Sequence, residues 1–204
     1  MLRLAIPDRP GSLGAVATAM GTVQADIIAV EIVEKRDGLA VDDFVVDLPD
    51  GTPPDALVTA CTSLDGVNLL WLSYHPESWD LHPDVEVVDS MTADPGQASA
   101  ILTKAAPDVF HTTWAVLIDR DGGRVVQASA LAPGITAKAL AALGPLDEAG
   151  ARELPPDWRP GLADTLIAVA PLRDGTSIVL GRHGGPEFLA SEVARLRHLA
   201  ALAG

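Results

Sequence analysis

The sequence predicts an α+β chain in two parts: a βαββαβ unit over residues 1–75 and an antiparallel sheet flanked by helices over residues 85–204. Three observations predict it. Short apolar runs alternate with segments whose apolar residues recur at i, i+3, i+4 and i+7, the period of one helix face. Turns built from Asp and Gly separate neighbouring runs at hairpin spacing. A polar stretch containing two prolines, "HPESWDLHPD", divides the two series, and residues 76–84 are read from it as the linker.

In the first part Leu2–Ile6 is a short strand, and Leu13, Val16, Ala17 and Met20 mark the apolar face of a helix that ends near Gly21. Asp26–Glu34, rich in Ile and Val, is a strand, Arg36-Asp37-Gly38 turns, and Leu39–Leu48 returns. Alternation along the return strand puts Asp43, Val45 and Asp47 on one side, read as a solvated face, and Phe44, Val46 and Leu48 on the other. Pro53-Pro54 suits a helix start, and Leu57, Ala60, Cys61 and Leu64 follow at helical spacing. Asp65-Gly66 turns into a last strand, Val67–Tyr74. This order, with short connections, is the ferredoxin-like split βαβ arrangement.

The second part opens with a predicted strand, Val85–Val88. Asp94-Pro95-Gly96-Gln97 offers a cap, a Pro for the first turn and a Gln three residues on, so a helix follows with Ala98, Ile101, Leu102 and Ala105 inward until Pro107 stops it. Trp114–Ile118 and Arg124–Ser129 flank "DRDGG" as a hairpin, and Ile135–Leu143 is a short helix ended by Gly144-Pro145. The Pro-rich residues 145–163 read as an irregular loop. Thr165–Ala170 and Ser177–Gly181 make a second hairpin around "RDG". A final helix runs from Pro186, with Leu189, Val193, Leu196, Ala200 and Ala203 along one side.

Composition bounds the partners. Apolar residues make up 48% and aromatics 4%, so the core is aliphatic. A net charge of −14 argues against nucleic acid and against anionic membrane, both of which need clustered Lys and Arg. Residues 1–80 hold 13 acidic against 4 basic side chains, the more acidic half. A single cysteine, Cys61, excludes an intramolecular disulfide framework and fits a reducing compartment. With no signal-like N-terminal segment and no run of about 18 apolar residues, the expected location is the cytoplasm.

The stretch "LAIPDRPGSL" carries the chemistry. A strand runs into Asp8, Arg9, Pro10 and Gly11, and a helix opens straight after. A helix start presents backbone N–H groups without intrahelical partners, at the positive end of its dipole. Gly11 admits a ligand with no Cβ in the way. The amides of Gly11, Ser12 and Leu13 can then address a carboxylate, and Asp8 can accept from an ammonium. The plainer reading is that Asp8 caps the helix and Pro-Gly serves only the turn.

With "DRPGSL" after the first strand, "ADIIAVEIVE" opening the second and "DGVNLLWL" entering the last, residues 1–75 resemble an ACT domain, a small amino-acid-sensing module. ACT domains commonly pair side by side through the second strand. The resemblance therefore implies a homodimer in which Asp26, Ile27 and Ile28 of the partner complete the pocket. The phosphoglycerate dehydrogenase version of the motif usually has Asn at both polar positions; Asp8 and Asp26 stand there in this chain. Two carboxylates near one cation suit an amine and disfavour acidic amino acids. The second part resembles a degenerate GAF domain through "AAPDVFHTTWAVLIDRDGGRVVQAS" and "TSIVLGRHGGPEFLASEVARLRHLAALA", with the middle of the usual pattern replaced by the Pro-rich segment.

The remaining candidates are weak. His75, His82, His111, His183 and His198 form no metal-ligand spacing, and no cofactor is expected. Cys61 lies on an apolar helical stripe and reads as core. "GRHGGP" before the last helix lacks the Lys-Ser/Thr of a phosphate loop and reads as a helix entry. The expectation is a non-enzymatic regulatory protein: a small amino acid bound at an ACT dimer interface, and a GAF-like part serving dimerisation or contact with a partner protein. The alternatives are a scaffold whose GAF-like part senses another small molecule, and a small enzyme.

Overall fold

A computed structural model describes residues 1–74, 83–158 and 164–204. The chain divides into two compact units, Met1–Leu81 and His82–Gly204.

The first unit runs β1 (Leu2–Pro7), α1 (Ser12–Thr22), β2 (Asp26–Arg36), β3 (Leu39–Asp47), α2 (Pro54–Thr62) and β4 (Asn68–Leu72). Its four strands form one antiparallel sheet in the order β2-β3-β1-β4. Each strand–helix–strand passage skips one place, and the skipped place is filled by a strand of the other passage. β1 is thus central and β2 is an edge. Val16 and Met20 of α1, one turn apart, and Leu57 and Cys61 of α2 close over Leu2, Leu4, Ile6 and Phe44. Leu13, expected inward, is instead more than a third exposed at the helix start.

Cys61 is fully buried in that core, as its place on the stripe predicts, and burial pushes its thiol up to about 11. Only a thiolate attacks a disulfide reagent. The folded protein at pH 8 is therefore expected to give no thiol signal with Ellman's reagent and one equivalent in urea. Full labelling of the folded chain would contradict the buried placement.

The acidic side of β3 is solvated at Asp47, as alternation predicted, but not at Asp43. Asp43 is buried because Arg3 stands directly across from it on β1 and clamps both carboxylate oxygens, Nε to Oδ1 and Nη2 to Oδ2, each at 2.7 Å. A paired carboxylate tolerates burial that a lone one does not.

The second unit runs α3 (Pro83–Ala93), α4 (Ala98–Val109), β5 (Trp114–Asp119), β6 (Arg124–Ala128), α5 (Ala137–Ala141), β7 (Gly150–Glu153), β8 (Thr165–Pro171), β9 (Thr176–His183) and α6 (Ala190–Ala203). One antiparallel sheet has the order β6-β5-β9-β8-β7. Residues of α3, α4 and α6 cover one face, against Ala115, Leu117, Ala168, Ile178 and Leu180. The other face is packed by Trp158, Leu143, Leu154 and Ala139 against Trp114, Val116, Ile167 and Val179.

Five expectations are corrected in this unit. Val85–Val88 is helical: Pro83 opens α3, Asp84 and Glu86 sit in its first turn, and Val87 and Met91, four apart, are its buried side. Residues 83 and 84 of the expected linker belong to that helix, and most of the rest of the linker, with His75 and His82, lies outside the described residues. Pro107 does not stop α4, which continues to Val109. A proline deprives a helix of one N–H, which close to a helix end is a small loss. The predicted loop at 145–163 contains β7, whose alternate residues pair with β8 through the main chain rather than by an apolar run. The last helix starts at Ala190 rather than at Pro186, where the Glu192 carboxylate accepts from the Leu189 N–H at 2.8 Å.

Candidate functional site

The site is built at the end of β1, where three strands lie in register. Ile6 stands opposite Ala40, and Ala40 opposite Lys35; one step inward Leu4 faces Asp42, and Asp42 faces Ile32. β1 then stops at Pro7, and residues 8–13 fold over this end of the sheet into the start of α1. The Asp8 N–H donates to the Gly38 carbonyl at 2.8 Å, which pins the loop to the β2–β3 turn.

The result is a hollow of about 380 Å³ lined by residues 8–13 together with Ile6, Pro7, Ile32, Lys35, Ala40 and Asp42. A second hollow, about 330 Å³, lies on the other side of the loop against Leu64, Asp65 and Val67. The loop is the wall between them.

Asp8, Arg9, Pro10, Gly11, Ser12 and Leu13 all line the first hollow, so the structure brings six of the nine expected site residues together. Gly11 caps α1 with φ 91°, a left-handed conformation that side chains other than glycine's rarely adopt, and nothing lies within 4 Å of where a Cβ would stand. No side chain caps this helix, so Asp8 does not serve that plainer role. The Ser12 amide is taken by the Arg9 carbonyl at 3.2 Å, contrary to the expectation that it addresses a ligand. The amides of Leu13 and Gly14 have no acceptor among the described residues and form the donor pair of the helix start.

Asp8 is already engaged. Its Oδ1 accepts from Lys35 Nζ at 2.6 Å in a largely exposed ion pair, and this hydrogen bond, with the charge behind it, raises the Lys35 pKa. Asp42 is a different case. It is 1% exposed, on the helix-facing side of β3, and its Oδ1 has no hydrogen-bond partner among the described residues. Burial raises its pKa, Lys35 opposes the rise, and Asp43 and Asp8 add to it.

Asp26, Ile27 and Ile28 lie at the opposite end of β2 and do not line the hollow of their own chain. Asp26 and Ile28 are exposed on the edge strand. Sequence reasoning missed Lys35 and Asp42. The available signal was their register: Lys35 and Ala40 flank the Asp37-Gly38 turn symmetrically, so a hairpin places Lys35 beside the end of β1.

In the second unit "GRHGGP" is structural. Arg182 is buried and donates to the carbonyls of Phe110 and Pro186 and to Glu192, and Gly181 lies against the Trp114 ring. Among the described residues no group of three His, Cys, Asp or Glu side chains is placed to hold a metal ion. No described helix is long and apolar enough to cross a membrane.

No protein-family model and no curated protein matches the chain. Among solved structures it is similar to a GAF domain from a protein described as a sensor histidine kinase of Pseudomonas syringae pv. tomato, at 16% identity and a TM-score of 0.41, over 60% of this chain and 81% of that one.

Proposed function

We propose that the protein is a non-enzymatic regulator whose first unit, read as ACT-like, binds a small amino acid where two copies meet. One observation carries the reading. The hollow with Asp8 and the open helix start lies beside an edge strand of 11 residues that pairs, among the described residues, with β3 alone and exposes Ile28 (52%), Val30 (40%) and Ile32 (53%). An exposed apolar edge is a template for pairing with another strand. Antiparallel pairing of β2 with its own copy, centred near Glu31, sets the partner's Asp26 across from Arg36, one residue from the Lys35 that lines the hollow.

Ligand touching both copies favours the paired state by its differential affinity, and this is the regulatory step. The second unit, read as GAF-like, supplies further dimer contact or meets a partner protein. Its sheet, packed on both faces by its own side chains, favours that role over sensing a second molecule.

The test is a thermal-shift screen against the twenty amino acids, repeated by calorimetry on wild type and on Ile28→Lys/Ile32→Lys. Ligand at 100 times its Kd stabilises by about 2.7 kcal/mol, a visible rise in melting temperature. The expected result is a shift for uncharged amino acids and none for Asp or Glu, with dimer and binding both weakened in the double variant. A flat response to all twenty leaves the scaffold reading in its place.

A further inference from the structure

We propose that Asp42 of the same chain, rather than Asp8, receives the ligand's ammonium, so that the hollow selects α-amino acids with uncharged aliphatic side chains and rejects the corresponding acids that lack the amine. This rests on the amino-acid reading above and names the residue that makes the selection.

Adjacent acids in β3 have opposite fates. Asp43 is matched in both oxygens by Arg3, whereas Asp42, equally buried, keeps Oδ1 without a partner. Its cross-strand neighbours are Leu4 and Ile32, which offer no donor. An unmatched buried carboxylate lowers stability, and buried polar groups are otherwise almost always paired. The cation that acts on it, Lys35, has its Nζ on Asp8 Oδ1 at 2.6 Å. Asp8 is itself 39% exposed and meets its cation in water, where an ion pair contributes little. The group with most to gain from an incoming ammonium is therefore Asp42.

The rest of the hollow fits the other half of a zwitterion. Leu13, which lines the hollow at the helix start, keeps its amide without an acceptor among the described residues, and a carboxylate is favoured at such an end. Ile6, Pro7, Ile32 and Ala40 furnish apolar wall. The cation beside that wall, Lys35, is already held by Asp8, so a side-chain charge placed there gains little, while an alkyl group buries its surface.

Asp42 must be ionised to hold an ammonium. The charged groups around it are Lys35 on β2, Asp8 and Arg9 on the loop, and Asp43 beside it, which Arg3 of β1 clamps. Affinity for the amino acid accordingly falls as pH drops through the raised pKa of Asp42, and this dependence disappears when the residue is Asn.

The experiment is titration calorimetry with L-alanine, L-valine and L-leucine and with propanoate, 3-methylbutanoate and 4-methylpentanoate, on wild type, Asp42→Asn and Asp8→Asn. The expected result is wild-type binding of at least one of the amino acids and of none of the acids. Asp42→Asn then weakens that binding by about 10- to 100-fold, a larger loss than Asp8→Asn produces. Asp42→Asn removes an unmatched buried charge, so its melting temperature at pH 7 is expected to equal or exceed wild type, and lost affinity is not a folding defect. Unchanged affinity in Asp42→Asn, or acids bound as tightly as amino acids, overturns the assignment while leaving amino-acid binding intact. If only charged amino acids bind wild type, the aliphatic selection is wrong. If none of the twenty binds, the amino-acid reading falls and this inference falls with it.

Discussion

Arg182→Met is expected to destabilise the second unit by about 3–5 kcal/mol. Arg182 leaves β9 toward the helices, fully buried, and its guanidinium gathers groups from three places. Nη2 donates to the Phe110 carbonyl just beyond α4 at 2.9 Å and to Glu192 Oε1 on α6 at 3.0 Å; Nη1 donates to the Pro186 carbonyl at 3.0 Å. Its carbon lies 4.2 Å from the centre of the Phe188 ring. A buried pair of this kind contributes little compared with a well-packed apolar substitute, but removing one member strands the other. Glu192, 5% exposed, would lose the guanidinium beside it and face an apolar side chain.

Arg182→Met/Glu192→Gln isolates that cause. The Gln amide oxygen can still accept from the Leu189 N–H, the 2.8 Å bond that starts α6, while the stranded charge is gone. The double variant is expected to recover much of the loss in urea unfolding followed by tryptophan fluorescence. A single variant within about 1 kcal/mol of wild type, or a double variant no better than the single, would show that the Glu192 charge is not what makes Arg182 necessary.

These tie points also show what could be read along the chain. Element order in the first unit was legible because each segment carries its own period: Val16 and Met20 four apart, Phe44 and Val46 two apart, and Asp-Gly turns between. The segment at 85–88, "VEVV", misleads because a run of β-branched residues looks like a strand until Val87 is paired with Met91 across one helical turn. β7 left no apolar signal, since a strand at the edge of a sheet is held mainly by its main chain.

The site was legible where it is local and opaque where it is not. Residues 8–13 adjoin one another, and a Pro-Gly before a helix announces its own geometry. Lys35 and Asp42 reach the same hollow only through the registers Lys35–Ala40–Ile6 and Ile32–Asp42–Leu4, which join three strands. Which of two neighbouring acids is matched depends likewise on Arg3, forty residues away across β1. Alternation gives the face of a residue; it does not give the partner found there.

Gly181→Ala is expected to cost about 3 kcal/mol or more, by overfilling rather than by stranding a charge. Gly181 pairs directly with Trp114 across β5 and β9, and a Cβ at this position would stand 1.9 Å from the indole ring. The ring cannot move aside. It is fully buried, stacks on Trp158 with centroids 5.8 Å apart, and donates from Nε1 to His183 Nε2 at 3.1 Å. Overpacking of a tight core costs about 1–3 kcal/mol and sometimes more, and here the obstacle is a rigid ring held on two further sides, so the upper end of that range or beyond is expected. Trp114→Leu costs stability by itself through the lost stack and hydrogen bond, yet it opens the space that the methyl needs. In that background Gly181→Ala should be close to neutral, because alanine suits an extended strand better than glycine does. The two substitutions therefore couple strongly and favourably in a double-mutant cycle. Additive effects would mean that the glycine is required for some reason other than the tryptophan lying on it.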